Sequence, residues 1–223
     1  MSEDARTHGP RHRVAVFVAS AHTDLIGLAD VPVWSMGPAE TASTLVGLTR
    51  LRAQVAELEL RVAAHARATE VGLSQGATST ANWWSHHTNL TRAEAHRLTR
   101  LASRLSEARE PVRHALAAGE VLADQATVIV DAIDALPADL ADPGVVAEAE
   151  ALLLAQAADH DAKALWVLGR RVLDVVAPEV GEAHEARQLE REEADARATA
   201  SLSMVEDGHG QCHGRFTIPS LHG

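Results

Sequence analysis

The sequence predicts an all-α fold, a multi-helix bundle or array that contains a helix-turn-helix-like pair and ends in a short C-terminal β-hairpin. Apolar residues make up 46% of the 223 positions, but aromatic residues only 3%. Most apolar side chains are Ala, Leu and Val. Ala and Leu favour helices, whereas strands favour aromatic and β-branched residues. Prolines and glycines divide the second half of the chain into pieces of helical length.

Composition predicts three regions along the chain. Residues 1–40 are expected to be an N-terminal leader and connector, partly disordered, and residues 41–200 a helical domain. Residues 201–223 are expected to be a β-hairpin, the start of a truncated C-terminal region. The apolar run from Val14 to Ala21 resembles a secretory signal but is only eight residues long. Together with the single Cys212, this predicts a cytoplasmic protein with no membrane span.

The first predicted helix follows an extended connector at residues 31–38 (VPVWSMGP) and runs from Thr41 to near Gly72. Its apolar residues recur at spacings of three and four, the heptad pattern of a helix that pairs with another helix. We call this row the seam: it consists of Leu48, Leu51, Val55, Leu58 and Val62. The seam could pair within the chain or between two copies. We expect pairing within the chain, because the seam is too short to require a free-standing coiled coil.

Further helices are expected between the later breakers, at about 80–87, 91–108, 110–118, 121–136, 143–158, 160–177 and 181–199. Thr91 and Glu94 have the spacing of a capping box. The helix at 160–177 is expected to bury Leu165, Trp166, Leu168, Val172 and Val176. The helix at 181–199 is nearly all polar and is expected to face solvent.

Alternating residues predict the C-terminal hairpin. Leu202 and Met204 lie on one predicted strand, and Gly214, Phe216 and Ile218 on the other. A lone hairpin is marginal in water. We therefore expect the hairpin to need a partner beyond the end of this chain.

The predicted helix 91–108 carries the clearest candidate for DNA contact. We call its basic side chains the arginine face: Arg92, His96, Arg97, Arg100 and Arg104. A solvent-facing row of arginines suits phosphate contact, and a helix-turn-helix pair would place it along a groove. The alternative is a solvated surface whose arginines pair with neighbouring glutamates.

Charge is distributed unevenly, which restricts where DNA could bind. Residues 91–113 hold six arginines and three glutamates, whereas residues 114–223 hold seven basic and twenty acidic residues. The predicted helix 121–136 presents Asp124, Asp131 and Asp134, which would repel phosphate. We expect this acidic face to pack within the protein or to dock an Arg-rich partner.

No catalytic motif is present, and metal binding is not expected. His209, Cys212 and His213 lie close together, but the chain lacks the separated ligand pairs of a zinc site. The sequence has no GxSxG, HExxH, GxGxxG or phosphate-loop motif. We therefore expect no cofactor and no catalytic residues in this chain.

Several segments, in this order, resemble one actinobacterial family, the domain of unknown function 222, also called the 13E12 repeat family. The resemblance covers roughly residues 31–223. It rests on the connector VPVWSMGP, the seam helix LRAQVAELELRVAAHA, the run GATSTANWWSHHTNLTRAEAHRLTRLASRL, the segment VRHALAAGEVLADQATVIVDAIDALP and the final hairpin.

The resemblance implies a link to DNA, because members commonly carry this helical domain ahead of an HNH nuclease module. That module would need a divalent metal, a His general base and an Asn, none of which is apparent here. The chain resembles the N-terminal part of such a protein, without its nuclease.

Three functions therefore remain open. The first is a non-catalytic helical domain that serves an HNH-type endonuclease and contacts DNA through the arginine face. The second is a protein-protein interaction or oligomerisation module, in which the seam pairs two chains. The third is a nuclease completed by another chain or by residues outside this sequence.

Overall fold

A computed structural model of the chain describes residues 12–136, 142–176, 178–179, 182, 186, 189–191, 194–195, 198–199, 201–206 and 208–217. Contacts divide the chain into two compact units, residues 1–47 and residues 48–223. The predicted all-α fold with a C-terminal β-hairpin is confirmed.

The first unit contains a helix within the predicted leader. Helix α1 spans Arg13–Gly27, and the His12 ring at its N-cap accepts a hydrogen bond from the backbone N–H of Val14. The connector is extended at its ends, but Val33–Ser35 forms one turn of 3-10 helix. Helix α2 begins at Pro38, where the missing N–H of proline costs nothing, and continues to Ala68. Residues 1–11 of the predicted leader lie outside the described residues.

The second unit holds the rest of α2 and a succession of shorter helices close to the predicted bounds. They are α3 (Val71–Ser74), α4 (Thr80–Thr88), α5 (Arg92–Glu107), α6 (Glu110–Ala118), α7 (Ala123–Asp134), α8 (Pro143–Gln156), α9 (Ala162–Gly169) and α10 (Val172–Val176). The helix expected over residues 160–177 is thus two helices, α9 and α10, with a turn between them.

Helix α7 lies at the centre of this unit and contacts α5, α6, α8 and α9. Its side chains Ala126, Ile129 and Val130 are fully buried. Helix α9 crosses α7 closely at Gly169. A Cβ at that position would lie 2.7 Å from the Cβ of Ala132, so only glycine fits without a shift of one helix.

A buried glutamine joins three elements around α7. The Gln125 side-chain amide donates hydrogen bonds to the carbonyls of Ala157, at 2.9 Å, and His160, at 2.7 Å. Its side-chain oxygen accepts from the N–H of Leu122 at 2.8 Å. The start of α7, the end of α8 and the turn before α9 therefore share one polar side chain.

Two of the predicted core residues near α9 are instead on the surface. Leu165 and Val172 are buried and Val176 is half-buried, but Trp166 is 53% exposed and Leu168 is also exposed. The guanidinium of Arg170 covers the Trp166 ring at 5.1 Å from its centroid. Helix α9 is only eight residues long, and only Leu165 and Gly169 lie on its buried side.

The remaining described residues agree with the sequence pattern. Those between 178 and 198 are helical and exposed, as expected for the polar helix at 181–199. The hairpin pairs β1 (Ser201–Glu206) with β2 (Cys212–Thr217) in antiparallel register, with Leu202 opposite Phe216 and Met204 opposite Gly214. Ile218 lies outside the described residues.

Candidate interaction surfaces

Helix α5, which carries the arginine face, begins and packs as the sequence predicts. The Thr91 hydroxyl accepts a hydrogen bond from the N–H of Glu94 at 3.1 Å and so caps the helix. The predicted apolar arc is confirmed as a buried stripe, half-buried only at one position. It consists of Ala95, Leu98, Leu101, Ala102 and Leu105.

Arg97 and Arg104 are paired with acidic side chains of this chain, which agrees with the alternative of a surface with internally paired arginines; the Arg97 side chain is 40% exposed and that of Arg104 24%. The Arg97 guanidinium donates two hydrogen bonds to the Glu94 carboxylate, at 2.8 and 3.1 Å, and lies near Thr127 of α7. The hydrogen bond to Glu94 raises the pKa of Arg97, and the same bond lowers the pKa of Glu94. The side chain that was expected to meet phosphate already has an anionic partner.

Arg104 is held more firmly by the acidic face of α7. It pairs with Asp131 and Asp134 and donates to the carbonyl of Val130 at 3.0 Å. Asp134 also binds Arg109, which precedes α6, at 2.7 Å. Burial lowers the pKa of Arg104, but the hydrogen bonds to the two aspartates outweigh burial, and the pKa is raised. Asp131 and Asp134 therefore pack within the protein, the first of the two expectations for the acidic face.

The rest of the arginine face is exposed. Arg92, His96 and Arg100 lie four residues apart along one stripe of α5. The His96 ring is 3.3 Å from the side-chain oxygen of Asn82 on α4. Three of the five candidate residues therefore remain available to a ligand.

The seam lies on the outer side of α2, so the expected packing of the seam within the chain is wrong. Leu48, Leu51, Val55 and Val62 are 47 to 54% exposed, and Leu58 is half-buried. All five residues belong to the second unit. The heptad spacing is present, but no described part of the second unit covers it.

The opposite side of α2 packs into the core of the second unit. Ala53, Leu60 and Ala63 are buried, together with Glu57, which is only 4% exposed. These residues recur at helical spacing about half a turn away from the seam.

Glu57 is a buried acid that the sequence pattern did not indicate. One of its oxygens lies 3.3 Å from Arg61 of the same helix and 3.6 Å from Arg113 of α6. A cavity of about 340 Å³ adjoins this carboxylate, with Leu60, Ala102 and Leu105 among its lining residues. The sequence signal that could have identified Glu57 as buried is its helical spacing from the alanines of the buried face.

Comparison with known protein families adds one finding. The model of a family described as a domain of unknown function, DUF222, matches residues 41–215. The chain belongs to this family. Neither the curated proteins nor the solved structures include a significant match. The family match covers both the seam and the arginine face.

Two further properties bear on the function of this DUF222 chain. Among the described residues, no group of three or more His, Cys, Asp or Glu side chains could hold a metal ion. His209, Cys212 and His213, on or beside the hairpin, are exposed. Within the same residues, the helices are too short or too polar to cross a bilayer.

Proposed function

We propose that this DUF222 chain is a non-catalytic self-association module that pairs through the seam of α2. The observation that carries the proposal is the exposure of a regular apolar heptad face on a helix whose opposite face is buried. Exposed apolar side chains scattered singly need no explanation, but a contiguous row at helical spacing is typical of a helix-helix interface. The HNH association implied by the family resemblance fits this proposal, since pairing would bring two nuclease modules together.

The preformed helix makes such a short seam sufficient. An isolated helix of this length would lose part of its binding energy to the entropy of becoming helical. In this chain the buried face already fixes α2 as a helix. Association of two folded chains then costs only the entropy of fixing their relative orientation and of ordering surface side chains.

Sedimentation equilibrium over a wide range of protein concentration tests this proposal. We expect the mass to rise from the 23.7 kDa of one chain towards twice that value. Leu51→Glu should weaken association at least about tenfold, because it places a charge in an apolar interface. The matched control is Thr49→Glu, which adds the same charge at an exposed position away from the seam. A wild-type mass of one chain up to about millimolar concentration would overturn self-association.

DNA contact is the second candidate, supported by the exposed stripe of Arg92, His96 and Arg100. Fluorescence anisotropy with a labelled duplex, across about 50 to 200 mM salt, tests it. Replacing Arg92 and Arg100 by Ala should weaken binding and reduce the salt slope by about two. Arg171→Ala serves as the control, because that arginine is exposed but lies outside α5. Absence of binding at low salt would exclude this surface as a DNA site.

A further inference from the structure

The heptad positions of α2 divide cleanly between the two faces of the helix. Leu48, Val55 and Val62 take the a positions, and Leu51 and Leu58 take the d positions, with His65 at the next d position. The buried residues Ala53, Glu57, Leu60 and Ala63 take positions b, c and f. The a and d positions are therefore those left for a second helix.

Residues beside the seam decide how a second helix could lie against it. Position e is occupied by Arg52 and Glu59, and position g by Gln54 and Arg61. In paired helices these positions flank the apolar layers and form the ion pairs that set orientation and register. Among the described residues, neither Arg52 nor Glu59 has an ion-pair partner.

We propose that two copies of the chain pair antiparallel along the seam, around a two-fold axis between Val55 and Leu58, with Arg52 of each copy beside Glu59 of the other. This inference rests on the proposed self-association and names its partner and geometry. In this register Val55 packs against Leu58 of the second copy and Leu51 against Val62. The outermost layer joins Leu48 to His65.

Charge complementarity favours this arrangement over parallel pairing. In parallel helices a g position faces the e position five residues further along the second helix. That would place Gln54 beside Glu59 and Arg61 beside Ala66, with no pair of opposite charges. In the antiparallel register two Arg52–Glu59 pairs form, related by the two-fold axis.

The same two residues oppose the neighbouring antiparallel registers. A shift of one heptad in one direction places Arg52 beside Arg52 of the second copy. A shift in the other direction places Glu59 beside Glu59. Like charges at such positions are repulsive, so only the central register gains attraction at position e.

The surroundings of Glu59 favour an incoming cation. Desolvation by nearby protein atoms, followed by the negative charge of Glu94, raises the pKa of Glu59. The guanidinium of Arg97 already forms an ion pair with the Glu94 carboxylate. An arginine from a second copy would relieve the repulsion that Glu59 experiences in the single chain.

Cysteine crosslinking tests the orientation, with Cys212→Ser as the background to remove the native thiol. Leu48→Cys and His65→Cys alter two exposed positions separated by about 26 Å along the helix. Antiparallel pairing predicts little disulfide in either variant alone and efficient disulfide formation when the two are mixed. Self-crosslinking of Leu48→Cys, with no crosslink between the two variants in the mixture, would overturn the antiparallel arrangement while leaving self-association intact. A chain that stays monomeric would overturn both.

Charge reversal tests the register. Arg52→Glu and Glu59→Arg should each raise the dimer dissociation constant by about tenfold, because two attractive pairs become repulsive. The double variant should return the constant to near the wild-type value. Equal constants in all four proteins would overturn the Arg52–Glu59 pairing, even if the chain dimerises. Thermal unfolding of each variant at low concentration confirms that the monomer stays folded.

Discussion

The α5–α7 contact and the outer side of α2 use charged and apolar side chains in opposite ways. At the first, Arg104 of α5 lies half-buried against Asp131 and Asp134 of α7. At the second, leucines and valines are exposed along a regular row. A charged side chain can be withdrawn from water when complementary charges meet it, and a regular apolar row can remain exposed in the folded chain. Residue type alone therefore did not determine which surface was internal.

Substitution of one leucine on each face of α2 gives the largest expected difference. Leu60→Ala should lower the free energy of unfolding by about 2–5 kcal/mol, because Leu60 is fully buried and its removal leaves a cavity. Leu51→Ala should lower it by less than about 1 kcal/mol. Denaturant unfolding at low protein concentration measures both, since dimerisation would add stability by mass action. Equal losses would show that the seam is covered in the folded monomer.

The charged contact between α5 and α7 should show a smaller difference. Arg104→Ala should cost about 1–3 kcal/mol, because it leaves Asp131 and Asp134 with less positive charge and the Val130 carbonyl without its donor. Arg100→Ala, on the exposed side of the same helix, should change stability by less than about 0.5 kcal/mol. If the two variants unfold alike in urea, the α5–α7 ion pairs contribute nothing to folding.

The smallest expected effect on stability concerns a buried acid on α8 that lacks a hydrogen-bond partner for one oxygen. Glu150 is buried, and one of its oxygens accepts no hydrogen bond from the protein. Burial raises the pKa of Glu150, more than Arg109 lowers it, and Asp134 adds to the rise. A carboxyl group with a raised pKa in the folded state binds its proton more tightly there than in the unfolded chain. Stability then falls as pH rises above the ordinary glutamate value of 4.5.

Glu150→Gln removes that titration, so its melting temperature should fall less than that of the wild type between pH 4 and pH 7. We expect the difference to correspond to about 1 kcal/mol or less. Glu148→Gln, at an exposed position two residues away, is the control and should follow the wild type. If the pH dependence of stability is unchanged in Glu150→Gln, groups other than Glu150 cause it.

Much of the helical architecture could be predicted from local signals. Proline at position 38, threonine at position 91 and glycine at position 119 mark helix ends by their backbone preferences, which do not depend on distant parts of the chain. At Gly119 the backbone has a positive φ of 74°, which glycine adopts without strain. The two strands of the hairpin also followed from alternating residues.

The burial of α2 could not be predicted in the same way. Its periodicity identified two opposite faces, and the face with larger apolar side chains was expected inside. The structure instead buries the face that carries Ala53, Leu60 and Ala63. The fate of Arg104 likewise depended on Asp131 and Asp134, 27 and 30 residues further along the chain. Their contact depends on the angle between α5 and α7, which the sequence pattern does not encode locally.

Gln125 also has a consequence for how the chain opens. Its side chain holds the first turn of α7, the end of α8 and the approach to α9 through separate hydrogen bonds. Local unfolding of any one of these segments would leave a buried amide without a partner, which is costly. The three segments are therefore expected to exchange their backbone amide hydrogens with solvent as one cooperative unit, more slowly than the exposed helical residues between 178 and 198.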